Sequence, residues 1–339
     1  MTFTMSESTA TVSQKTAGQT SNGGNLKMPM LTLSSSPHIR ANESVQTIMR
    51  DVLIALLPAA LAGIYFFKMR AALVMIVAVV SAVLSEYLWQ RLTHKNITVG
   101  DLSAVVTGLL LAFNVPPTMP LWMVAVGTVF AVLIVKQLFG GIGQNIVNPA
   151  LAGRAFLLAS WPIAMTTWTL DGVTTATPLA ILKAGEGTLP TLSQAFIGNI
   201  GGCIGETSAL ALLIGFVYLL YRKVISWEIP VVYIATVAIL TTVIGRNGFM
   251  TGNGLYEIFT GGLMLGAIFM ATDYTTTPMT KKGQVIFALG CGIIATIIRT
   301  IGGYPEGVSY SILIMNLCVP LIDKFATPRT FGEAKKHGK

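Results

Sequence analysis

A chain of 339 residues that is 53% hydrophobic and 11% charged, with a mean hydropathy of +0.69, holds more apolar surface than a soluble core can absorb. Its three cysteines, Cys203, Cys291 and Cys318, stand far apart in apolar segments without a CxxC or Cys/His cluster, which excludes an iron–sulfur or structural zinc site built by this chain alone. The formal net charge of +8 comes with no long basic run and no basic patch interleaved with aromatics, so it reports membrane topology and not nucleic-acid binding.

In chain order, residues 1–36 are rich in Ser, Thr, Gly, Asn and Gln and too poor in large apolar side chains to offset the entropy of ordering. A disordered tail is expected there, and the lack of an apolar h-region argues against a cleaved signal. From about residue 51, apolar runs of membrane-spanning length recur to the C-terminus. Spans are predicted at 51–67, 71–90, 102–113, 121–138 and 150–165, then at 205–220, 229–245, 256–271, 284–301 and 308–323. The fold class is an all-α polytopic membrane protein embedded in the lipid bilayer. Its parts are a tail (1–36), a first five-helix unit (37–165), a loop (166–204), a second five-helix unit (205–325) and a C-terminal tail (326–339).

Ten spans put both termini on one side. Arg91, Lys95, Lys136, Arg222, Lys223, Lys281, Lys282 and Lys324 then fall on the terminal side, against Lys68, Arg70, Lys183, Arg246 and Arg299 opposite, with Arg154 at a span entrance. The positive-inside rule places both termini in the cytoplasm and the 166–204 loop outside.

Two predicted spans are short, and they occupy corresponding positions. Leu102–Phe113 gives a helix of roughly 18 Å against about 30 Å of hydrocarbon, and Asn114-Val115-Pro116-Pro117 stops it. The eighth span is likewise short and runs into Thr272-Asp273-Tyr274-Thr275-Thr276-Thr277-Pro278. Thr107-Gly108 matches Thr260-Gly261, and Gly140-Gly141 matches Gly302-Gly303. A unit of five spans inserts upside down when duplicated, so two inverted repeats with broken helices are expected, meeting near the bilayer midplane.

Between the units lies Asp171-Gly172-Val173-Thr174-Thr175-Ala176-Thr177-Pro178, a hydroxyl-rich loop in a chain with few polar groups. By composition alone it is turn chemistry. Around it stand, in order, Ser36-Pro37-His38, then Asp101–Gly108, then Phe139-Gly140-Gly141-Ile142-Gly143-Gln144-Asn145-Ile146-Val147-Asn148-Pro149-Ala150. Gly205-Glu206-Thr207-Ser208, Phe269-Met270-Ala271-Thr272-Asp273 and Ile298-Arg299-Thr300-Ile301-Gly302-Gly303-Tyr304-Pro305-Glu306-Gly307 complete the series.

This ordered set resembles the D subunit of the Rnf electron-transport complex, an ion-translocating ferredoxin:NAD oxidoreductase, and the homologous B subunit of the sodium-pumping NADH:quinone reductase, over about residues 36–329. The resemblance implies a urea-transporter-like inverted-repeat fold and a bacterial or archaeal cytoplasmic membrane. It also implies FMN attached through its phosphate to Thr177 by a separate flavin transferase. Asp171, Gly172, Thr174, Thr175 and Ala176 form the rest of that loop; on hydroxyl chemistry alone Thr174 and Thr175 are rival acceptors, and motif position favours Thr177.

A second, non-covalent flavin, riboflavin, is implied by the same resemblance, with Asn145 and Asn148 as its matching pair. Residues i and i+3 share a helix face, and an amide can both donate to and accept from a flavin edge; Asn before Pro149 is equally a helix cap. Asp273, at the second break, reads as a cation site, a neighbour of the inner flavin, or a cap. Glu206, Arg154 and Arg299 read as interhelical pairs or topology signals. The implied function is an electron relay between other subunits, which bind ferredoxin and NAD; the chain has no GxGxxG or P-loop of its own. The alternative is a small-solute channel of the same fold.

Overall fold

The computed structural model describes residues 43–170, 173–184, 189–245, 248–250 and 252–326. The predicted N-terminal tail lies wholly outside them, as do the C-terminal tail beyond Ala326, the Ser36-Pro37-His38 segment, Asp171, Gly172 and Arg246.

Helix α1 (Val45–Leu92) starts where the Ser44 hydroxyl accepts the Thr47 N–H, and it is propagated by an Ala-, Leu- and Val-rich run. It breaks once, at Lys68, whose φ of 57° and ψ of −147° are non-helical. Arms 45–67 and 69–92 therefore correspond to the first two predicted spans. On the second arm Ile76, Val80, Leu84 and Leu88 form an exposed stripe at a spacing of four, while Val74, Ala78 and Ala82 are buried. An apolar face turned outward is what a lipid-facing helix presents, the reverse of a helix on a soluble domain.

A turn at Val99–Asp101 leads into α2 (Ser103–Phe113). Asp101 Oδ1 accepts the Ser103 N–H at 2.8 Å, satisfying one of the free amides at the helix start. The helix ends at Asn114, before the two prolines, as predicted. Gly108 lets α2 approach α1, since a Cβ there would lie 2.7 Å from the Ala78 carbonyl oxygen. Helix α3 (Leu121–Phe130) continues as a π-helical stretch, Ala131–Gln137. Helix α4 (Pro149–Ser160) begins at Asn148 and is followed by α5 (Pro162–Thr166). The predicted single span 150–165 is thus two helices, because Pro162 has no N–H to continue the first.

The 166–204 segment is more structured than a loop. Strands β1 (Trp168–Leu170) and β2 (Val173–Thr175) pair antiparallel, with Trp168 opposite Thr175. Two short helices follow, α6 (Pro178–Ala184) and α7 (Leu192–Ile197), the second opened by a Thr191/Gln194 capping box.

Helices α8 (Ala209–Tyr221) and α9 (Glu228–Val243) come next, then a two-stranded hairpin of β3 (Ile244–Gly245) and β4 (Gly248–Phe249). The eighth predicted span is α10 (Gly254–Phe259), a break at Thr260–Gly262, and α11 (Leu263–Leu265) running on as π-helical Gly266–Met270. Helices α12 (Lys281–Thr300) and α13 (Val308–Ala326) complete the described chain. Among the described residues, three helices, α1, α12 and α13, are long and apolar enough to cross a membrane; α2, Leu121–Gln137, α8 and α9 are shorter apolar helices. The core is filled by Leu56, Leu111, Phe113, Met119, Leu151, Tyr233 and Phe287, all fully buried.

Candidate functional site

Two cavities lie along α4, one at each end. The first, of about 330 Å³, is lined by Asn145, Asn148 and Asp273, so the three residues singled out as a second site do converge. Ser103, Thr107 and Lys136 add polar groups, and Met49, Val52, Leu219 and Phe269 give it apolar walls.

Within it the three side chains are differently engaged. Asn148 caps α4: its Oδ1 accepts the N–H groups of Ala150 (3.0 Å) and Leu151 (3.3 Å), and its Nδ2 donates to the Met270 carbonyl at 3.2 Å. Asn145 Oδ1, in contrast, is buried with no hydrogen-bond partner among the described residues. Asp273 binds its own turn, its Oδ2 accepting the hydroxyls of Thr275 (3.2 Å) and Thr276 (3.4 Å).

Lys136 departs from the sequence reading. Counted there as a charge of the terminal side, it is 2% exposed and forms a buried pair with Glu86, Nζ to Oε2 at 2.8 Å and to Oε1 at 3.0 Å. Its Nζ also donates to Ser103 Oγ at 2.6 Å, and Gln137 Nε2 donates to Glu86 Oε1 at 2.8 Å. Desolvating an ammonium is tolerated only with such pairing. A glutamate inside an otherwise apolar predicted span was the one signal that could have found this pair.

The second cavity, of about 340 Å³, is bounded by Trp168, Ala176, Ala180, Tyr304 and Tyr310, with Arg154 and Glu306 in its wall. The Tyr304 and Tyr310 rings lie 5.9 Å apart at 33°. Arg154 Nη2 meets Glu306 Oε2 at 2.5 Å and Nη1 donates to Asn114 Oδ1 at 3.2 Å. The other arginine singled out, Arg299, pairs with Glu257 at 3.2 Å and is fully buried. Of the two roles expected for these arginines, interhelical pairing or topology, Arg299 shows the first, joining α12 to α10, while Arg154 pairs with Glu306 in the loop before α13.

Thr177 lies between Ala176 and Ala180, which line this second cavity. It begins α6, with its Oγ1 accepting the Ala180 N–H at 3.2 Å and its carbonyl accepting the Ile181 N–H at 3.0 Å. The residue is 3% exposed, while Ala176 before it is open to solvent. Thr174 and Thr175 lie in β2, paired with Thr169 and Trp168. Leu179 is fully buried, and Lys183 Nζ donates to the Gly302 carbonyl, so α6 is docked at both ends.

The two broken segments meet between the cavities: Asn114, ending α2, donates to Met270 Sδ at 3.5 Å, and Met270 ends the second. From Ala150, which lines the first cavity, to Arg154, which lines the second, is four residues along α4, a rise of roughly 6 Å, so about one turn of this helix separates the two linings.

A family model described as the NQR2, RnfD, RnfE family matches residues 32–332. The chain belongs to that family. It is 54% identical over 312 residues to the D subunit of the Na⁺-translocating ferredoxin:NAD⁺ oxidoreductase complex of Acetobacterium woodii, covering 90% of this chain and 96% of that one. Against the D subunit of the proton-translocating ferredoxin:NAD⁺ oxidoreductase complex of Clostridium ljungdahlii it is 50% identical over 325 residues, covering 91% and 98%. The D subunit of the ion-translocating oxidoreductase complex of Halorhodospira halophila is 36% identical over 345 residues, covering 90% and 97%. Two relatives of nearly equal similarity are named for different ions, so overall identity does not select between them.

Proposed function

We propose that this chain is the D subunit of an ion-translocating ferredoxin:NAD oxidoreductase of a bacterial cytoplasmic membrane, and that it relays electrons through two flavins. FMN is phosphoester-linked to Thr177, with its ring in the second cavity, and a non-covalent riboflavin occupies the first. The observation that carries this reading is the position of the second cavity, bounded by Ala176 and Ala180, which flank Thr177.

The residues present fit both groups. Trp168, Tyr304 and Tyr310 would offer flat apolar faces to an isoalloxazine ring. Esterification leaves the Thr177 oxygen able to accept the Ala180 N–H, so attachment is compatible with the start of α6. In the first cavity the orphaned Asn145 Oδ1 suits the ring N3–H of a flavin, while Asn148 holds the end of α4 and thereby the cavity wall. When bound, the flavins supply the one- and two-electron chemistry; the chain holds them, sets their surroundings and spaces them. Ferredoxin and NAD dock on other subunits, and a flavin transferase completes the chain.

We further read the helices as ten spans in two inverted repeats, with both termini cytoplasmic and the Thr177 segment outside. The pattern of packing supports this. The first arm of α1 packs on α8, where a Cβ at Gly215 would lie 2.2 Å from the Ala55 carbonyl oxygen. Helix α4 packs on α13, the Asn148 N–H reaching Asn316 Oδ1 at 3.3 Å. In each contact the first and sixth, or fifth and tenth, spans pair with their own equivalents, as elements beside a pseudo-two-fold axis must. The end-to-end meeting of the two broken segments fits the same symmetry. A solute channel of this fold would have no use for the hydroxyl-rich segment.

The test is a denaturing gel viewed under ultraviolet light, with the full chain co-expressed with a flavin transferase and Thr177→Ala beside it. A fluorescent band in the first lane alone is expected. No band in the natural chain would overturn the reading.

A further inference from the structure

The charges beside the second cavity do not balance. Arg154 brings one guanidinium, and two carboxyls crowd it. Glu306 takes its Nη2 at 2.5 Å. Glu206 approaches from across the second break, where Gly262 leaves room: a Cβ there would stand 3.1 Å from Glu206 Oε2 and 3.8 Å from Arg154 Nη1.

Glu206 is 5% exposed and spends Oε1 on the Cys203 N–H at 2.8 Å. Its Oε2 is buried with no hydrogen-bond partner among the described residues, and so is Glu306 Oε1. The other groups at hand have partners of their own, the Lys183 ammonium on α6 donating to the Gly302 carbonyl. The Cys203 thiol donates to the Asn114 carbonyl at 3.3 Å, and the Asn114 side chain is spent on Arg154. The Tyr304 and Tyr310 rings share the wall of the cavity with Arg154 and Glu306. On the Gly261 side, Arg299 is paired with Glu257 and adds no net charge. With every group ionised, Arg154, Glu206 and Glu306 together carry one excess negative charge where the Arg154 and Glu306 side chains are 8% and 11% exposed and Glu206 is buried, an arrangement that desolvation disfavours.

We propose that Glu206 and Glu306 together hold one exchangeable proton beside Arg154, forming a proton-binding site in the wall of the second cavity. The proton makes one carboxyl neutral and leaves one carboxylate for one guanidinium. It belongs to the pair and not to either residue, as for other carboxyls that share a site. Charge entering the cavity acts on this pair through a medium that screens poorly, so the site responds to whatever the cavity binds. The assignment stands on the two orphaned oxygens and the charge count, independently of any flavin.

The experiment is infrared spectroscopy of the full purified chain near neutral pH, reading the carbonyl stretch of protonated carboxyl groups and its shift in D₂O. The natural chain should show the band. Glu206→Gln and Glu306→Gln should each lose one carboxyl equivalent, because a single remaining carboxylate is balanced by Arg154 and ionises. Glu206→Asp keeps both carboxyls and should retain the band, which gives a reading if a Gln variant fails to fold. Absence of the band from the natural chain, or an unchanged band in both Gln variants, would overturn the proposal. Repeating the measurement with sodium replaced by choline separates the two monovalent cations. A band that persists in sodium supports the proton, and one that appears only after sodium is withdrawn assigns the charge balance to a metal cation and refutes it.

Discussion

Replacing Lys136 by methionine should destabilise the protein through Glu86 and not through the loss of the lysine itself. Lys136 and Glu86 are 2% and 1% exposed and joined at 2.8 Å. Glu86 also accepts from Gln137 at 2.8 Å and from Gln90 at 3.3 Å, but neither of those donors carries charge. Breaking a buried pair from one side costs about 3–5 kcal/mol, since the remaining ion is uncompensated. At roughly 2 °C per kcal/mol for a chain of this size, the apparent melting midpoint in detergent should fall by roughly 6–10 °C. Adding Glu86→Gln removes the orphaned charge while keeping an acceptor for Gln137 and Gln90. The double variant should therefore melt above Lys136→Met alone. Thermal melts of the two single variants and the double variant, closed as a cycle, measure this coupling. Midpoint losses that simply add would refute the buried pair.

Other outcomes follow from the same geometry. Gly215→Ala drives a Cβ to 2.2 Å from the Ala55 carbonyl and should cost about 1–3 kcal/mol by melting, whereas Gly303→Ala meets nothing within 4 Å and should be silent. Asn145→Leu should release the non-covalent riboflavin, read by chromatography of an acid extract, while the gel fluorescence of Thr177 persists. Asn148→Leu should in addition lower the melting point, because it removes the α4 cap, worth about 1 kcal/mol. Trp168→Ala should brighten and loosen the covalent flavin, seen as higher native-state emission with lower anisotropy; unchanged values would place the ring elsewhere.

The helices were legible because apolar runs and proline stops are local properties. Asn114 before Pro116 and Pro117 ended α2 where ring sterics require, and Asn148 before Pro149 opened α4. Junctions were less legible. The Lys68 hinge fell between the predicted spans 51–67 and 71–90, where Lys68 and Arg70 interrupt the apolar run, but the π-helical stretches at 131–137 and 266–270 carry no composition signal. The short strands and helices of 166–204 were hidden by polar residues that suit turns as well as hairpins. At the sites, the resemblance supplied Thr177, Asn145 and Asn148 as candidates, and the cost of an ionisable group at a helix break supplied Asp273. The charged partners were harder, since Lys136 meets Glu86 across 50 residues and Arg154 meets Glu306 across 152. Such pairing is decided by how helices pack, which no local pattern records.

The proposed electron relay depends most on one covalent bond. Mass spectrometry of a proteolytic peptide spanning Thr177, taken from the chain matured with a flavin transferase, should find the mass of FMN added with loss of water. Fragment ions should place it on Thr177. An unmodified peptide, or fragments placing the flavin on Thr174 or Thr175, would contradict it.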